Sequence, residues 1–60
     1  MKKSLKAFIK ENRAKLDQAI ARALNCEVNE LPYRNDEERR QWIMSDEGLY
    51  NWARSEGVNI

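Results

Sequence analysis

The sequence predicts a small all-α domain of three helices, in which one long N-terminal helix is covered by two short ones. Three observations carry this. Apolar residues recur at helical spacing over residues 4–24. Two capping signals, Asn35 ahead of three acids and Ser45-Asp46 ahead of Glu47, open two further helical stretches. No alternating strand pattern, internal repeat or low-complexity tract competes with them. At 60 residues the chain has room for one domain, taken as 1–60.

The first helix is expected over about 4–24. At about 100° per residue, Leu5, Phe8, Ile9, Leu16, Ala19, Ile20, Ala23 and Leu24 fall on one face. Ser4 supplies an N-cap oxygen, and the interior is rich in Ala, Lys, Arg, Leu and Gln, all good helix formers. Asn12 interrupts the apolar face, and the helix is expected to run through it. Asn25 is a left-handed stop. In the connection of residues 25–34, Val28 and Leu31 are the expected apolar anchors, and Asn29 the cap of a single turn before Pro32. The second helix is expected over about 36–44, with an acidic first turn that complements its dipole. The third is expected over about 47–56, with Leu49, Trp52 and Ala53 inward and Gly57 ending it. The long helix would span roughly 31 Å and the short pair roughly 29 Å together, so the pair could fold back along the long stripe.

Composition narrows the function. The chain is 42% apolar with a mean hydropathy of −0.89, the balance of a water-exposed domain with a thin core. Histidine is absent, which removes the usual general base and the commonest metal ligand. The single cysteine, Cys26, excludes disulfide scaffolds within one chain. With no histidine to activate it and only neutral or acidic neighbours, it reads as a partly buried loop thiol and not as a nucleophile. Asp36, Glu37 and Glu38 are consecutive and point in different directions on a helix, so they do not converge on a cation. Asp46-Glu47-Gly48 lacks the alternating acids of a calcium loop. No catalytic residue, cofactor or metal is expected. The apolar stretch Ala7-Phe8-Ile9 is too short for a signal peptide, and nothing approaches the about 20 apolar residues of a membrane span. A cytoplasmic protein with no membrane partner is the expectation.

The near-zero net charge hides an asymmetry. Residues 1–22 hold seven cations and two anions, whereas residues 23–60 hold four cations and eight anions. Lys3, Lys6, Lys10 and Arg13 fall close together on the expected first helix, a candidate basic surface for phosphates or for an acidic protein. The same stripe also serves as an ordinary solvated face, and Glu11–Lys15 and Arg13–Asp17 are i,i+4 pairs. Among five aromatics, Trp42 and Trp52 sit on predicted inward faces and read as core. The sharper reading makes one of them, with Tyr50, part of a partner-binding patch that includes Arg39, Arg40 and Arg54.

Two phrases carry local resemblances. Ala19-Ile20-Ala21-Arg22-Ala23-Leu24-Asn25-Cys26-Glu27-Val28-Asn29-Glu30-Leu31 resembles the last helices of phage-repressor-like helix-turn-helix domains. In that family the DNA-reading helices precede this point, where the present chain has one expected helix. Leu49-Tyr50-Asn51-Trp52-Ala53-Arg54-Ser55-Glu56-Gly57-Val58 resembles the first helix and turn of a lac-repressor-type motif, without a recognition helix after it. Both resemblances imply helix ends only, and no contact residue carries over. The segment of residues 35–53 is similar to short phage and mobile-element proteins that have no assigned function.

The expectation is a non-enzymatic protein-interaction module, in the manner of a phage or mobile-element accessory factor, that docks on a host protein or on itself as a homodimer. The alternative is nucleic-acid binding by the basic face of the first helix. An enzyme would need two carboxylates of separated pKa in a cleft, and no pair of elements is seen to build one.

Overall fold

A computed structural model describes residues 2–60. It is all-helical, with four helices among the described residues: α1 (Leu5–Glu11), α2 (Arg13–Leu24), α3 (Asp36–Ser45) and α4 (Glu47–Ser55), plus a 3-10 turn at Val28–Glu30. None of the helices is long and apolar enough to cross a membrane.

The long helix expected over 4–24 is two helices, and the break is Asn12. The Asn12 backbone sits at φ −125°, ψ 23°, outside the helical well. Its side-chain Nδ2 donates to the Phe8 carbonyl at 2.9 Å, and its own N–H donates to the same carbonyl at 3.0 Å. A half-buried amide on the apolar face must find a partner, and the carbonyl one turn back is the nearest acceptor. Asn12 therefore ends α1, while its carbonyl takes the Leu16 N–H (2.8 Å) to start α2. The break rotates the buried face. Phe8, Ile9, Leu16 and Ile20 are buried as expected, but Ala21 replaces Ala23 and Leu24, which are exposed.

The other boundaries follow their caps. The Ser4 hydroxyl accepts from the Ala7 N–H, the Asn35 side chain from Glu38, and the Asp46 side chain from Leu49. Asn25 is left-handed at φ 57°, and the Cys26 N–H reaches back to the Ala21 carbonyl at 2.9 Å. Gly57, at φ 87°, closes α4 the same way through the Val58 N–H on Ala53, a backbone geometry that favours glycine. In the connection, Leu31 is buried but Val28 is 42% exposed, so only one of the two expected anchors holds. Asn29 lies inside the turn it was expected to cap. The Glu30 carboxylate accepts the Glu27 N–H there instead.

The core joins Phe8, Ile9, Leu16, Ile20, Ala21, Leu31, Tyr33, Ile43, Leu49, Ala53 and Val58. Trp52 packs edge-on against Phe8, with ring centroids 5.1 Å apart. α3 packs against both α1 and α4. Its start lies beside the start of α2, because Asp36 meets Arg13 and Arg39 meets Asp17. The 25–35 connection thus carries the chain back along α2 before α3 begins. The two chain ends then meet. The Lys3 N–H donates to the Gly57 carbonyl (2.9 Å) and Asn59 donates to the Lys3 carbonyl (3.0 Å), an isolated parallel bridge between Lys3 and Val58. The molecule measures 35 × 19 × 15 Å, so its thinnest dimension is little more than one helix diameter.

Candidate functional site

Two of the expected partner-binding arginines are already occupied. The Arg39 guanidinium grips Asp17 with two parallel bonds (Nε to Oδ1 and Nη2 to Oδ2, both 2.9 Å) and reaches Asp36 Oδ1 with Nη1 at 2.8 Å. Arg13 grips Asp36 in the same forked way, at 2.9 and 2.6 Å. The Tyr33 hydroxyl donates to Asp17 Oδ1 at 2.7 Å, and the Arg39 guanidinium lies 5.4 Å from the centre of the Tyr33 ring. Two arginines, two aspartates and a tyrosine thus form one neutral network joining α2, the connection and α3. No buried side-chain polar atom among the described residues lacks a partner.

The network tunes its members. Hydrogen bonds from Arg13, and then from Arg39, hold the Asp36 carboxyl at about 2. Burial pushes Asp17 upward, but its bonds from Arg39 and Tyr33 outweigh that and leave it below the usual carboxylate range. Burial, reinforced by the bond to Asp17, pushes the Tyr33 hydroxyl well above its ordinary value.

The expected basic surface is divided. Lys3 lies in the terminal bridge and pairs with Glu11 at 2.8 Å, and Arg13 belongs to the network. The expected Arg13–Asp17 partnership gives way to long-range partners for both residues. Lys6 and Lys10 remain exposed on α1. Lys6 faces a small hollow of about 230 Å³ that it shares with Ile9, Asp36, Glu37 and Arg40, so acids of α3 sit beside it. Arg40 also approaches Glu37 at 3.6 Å. The expected patch of Arg39, Arg40, Tyr50 and Arg54 is not gathered in that hollow, which only Arg40 lines. Tyr50 is half-buried and Arg54 exposed, both on α4.

The two tryptophans do come together. They are half-buried and pack against the core without being enclosed by it. Trp42 on α3 and Trp52 on α4 line an open groove of about 340 Å³. Ala19, Ile20 and Ala23 of α2 form one wall, and Gly48 and Leu49 of α4 complete the apolar lining. Asp46, at the α3–α4 corner, is the one charged lining residue. Two of the three α2 lining residues are alanines. The sequence shows the indoles but not the alanines' part, since Ala19 and Ala23 read as members of the apolar stripe. A broader hollow of about 490 Å³ lies at the end of α2, where half-buried Cys26 meets a mainly polar lining that includes Arg22, Glu27 and Glu30. Comparison of the chain with protein-family models, with curated proteins and with solved structures finds no match.

Proposed function

We propose that the chain is a protein-interaction module that acts by binding, and that its docking site is the groove between α2 and the α3–α4 corner. One observation carries the reading: two half-buried indoles face the same open, mainly apolar groove. Tryptophans left partly in water at a concave surface are what interface anchors use, and they are expensive to leave uncovered. A binding role also agrees with the carboxylates. Asp17 and Asp36 are held low by arginines, the reverse of the raised carboxyl that general-acid chemistry needs.

Phosphate binding by Lys3, Lys6, Lys10 and Arg13 has less support. Two of the four are in ion pairs, and Lys6 shares its hollow with Asp36 and Glu37.

The test is selection of random displayed peptides on the immobilised protein, followed by rebinding to Ala23→Leu, which fills the groove from an exposed helix position. Selected peptides are expected to lose at least about tenfold in affinity, equivalent to about 1.4 kcal/mol. Equal binding to both proteins, with helicity unchanged, places docking elsewhere and overturns the reading.

A further inference from the structure

The groove has a polarity that its apolar walls conceal. Asp46 is its one charged lining residue, is half-buried, and uses Oδ1 to cap α4 through the Leu49 N–H at 3.0 Å. Among the described residues Oδ2 accepts no hydrogen bond. A Cβ at Gly48 would stand 3.3 Å from Asp46 Oδ1, a tight contact with the oxygen that caps α4. Asp46 both ends α3 and caps α4, so the opposite charges of the two helix ends meet at this corner and offset each other, leaving the carboxylate as its charge. Glu47 follows, exposed. Beside these negative groups stand two indoles, the side chains whose faces attract cations most strongly. Ala19, Ala23 and Gly48 contribute small residues to the lining, and an apolar wall of this kind suits an alkyl stem.

We infer that the groove receives a basic peptide segment, holding the alkyl stem of one Lys or Arg side chain between the indoles and the α2 alanines with its cation at Asp46. This rests on the docking reading and adds the chemistry of the occupant. A volume of about 340 Å³ is at the low end for ligand pockets and suits one long side chain with its immediate neighbours. The carboxylate and the indoles select a cation, and the apolar walls select a long stem over a short one.

The experiment uses butylguanidinium, butanol and butyrate as probes of the whole protein by NMR. The chain has two tryptophans, so two indole N–H signals report the groove. Butylguanidinium is expected to shift both signals saturably and to bind about fivefold more tightly than butanol, with butyrate weakest. Asp46→Asn keeps a good helix cap while removing the charge, and is expected to erase the preference for the cation without loss of helicity. Equal binding of butanol and butylguanidinium overturns the inference but leaves the docking groove standing. A preference that persists in Asp46→Asn, or no indole shift with any probe, also overturns it. The peptide-selection result decides the docking reading separately.

Discussion

The α2 helix has two lateral seams, and they are finished in opposite ways. Along one, Arg13 and Asp17 meet Asp36 and Arg39 of α3, with the Tyr33 hydroxyl completing the set, and every buried side-chain polar atom among the described residues has a partner. Along the other, Ala19, Ile20 and Ala23 face Trp42, Leu49 and Trp52 across a groove that no side chain fills. The first seam is directional and complete, so it fixes where α3 starts. The second is apolar and incomplete, so it leaves hydrophobic surface in water. A domain of about 60 residues is stable by only about 3–9 kcal/mol. Unfilled apolar surface is a poor use of so small a core unless something else covers it.

The strongest way to break this contrast is beneath the groove. Phe8 is fully buried and supports Trp52, so Phe8→Ala is expected to destabilise by about 3–5 kcal/mol, a large share of the domain's stability. Circular dichroism with urea titration measures it. A loss below about 1 kcal/mol would show that Trp52 stands without that support. On the polar seam, Arg39→Ala leaves Asp17 largely buried with only the tyrosine hydroxyl as a partner, and is expected to cost about 2–3 kcal/mol. A near-neutral result would make the network ornamental to stability.

Titration sharpens the same contrast without mutation. Asp17 and Asp36 have folded pKa values below their unfolded ones, so the unfolded chain takes up protons first as pH falls. The urea midpoint is expected to fall between about pH 4 and pH 2 as the polar seam is lost. Tyr33 has the opposite sign. Its folded pKa lies above the unfolded value, so stability is also expected to fall as pH rises beyond about 10. Asp17→Asn should flatten part of the acid arm, and an unchanged arm would assign it to other carboxylates. The smallest effect belongs to the groove. Ala23→Leu is expected to change stability by less than about 1 kcal/mol, because the added methyl groups enter open space. A larger destabilisation would mean that the groove is closed in solution.

The two seams were not equally legible in the sequence. Caps are local, and Ser4, Asn25, Asn35, Asp46 and Gly57 each act within a few residues, so the ends of α3 and α4 fall within a residue of expectation. The core residues Phe8, Ile9, Leu16, Ile20, Leu49 and Ala53 follow from periodicity. The polar seam did not show. Its pairs are 22 and 23 residues apart, and Arg13–Asp17 offered a local partnership of equal quality on paper. Asn12 turned on a competition between one side-chain amide and the helix ladder, which propensity alone does not decide. Of the groove, the sequence displayed the two indoles, but placing them together required the angle between α3 and α4.

The bridge between Lys3 and Val58 gives the molecule a mechanical character. The paired segments run parallel, so tension applied to the two ends would slide one past the other and would not peel them apart. Both hydrogen bonds, Lys3 to Gly57 and Asn59 to Lys3, would bear such a load together before any helix felt it. Under stretching the fold therefore meets force first at a small shear clamp, and the helices unravel only after the clamp has slipped.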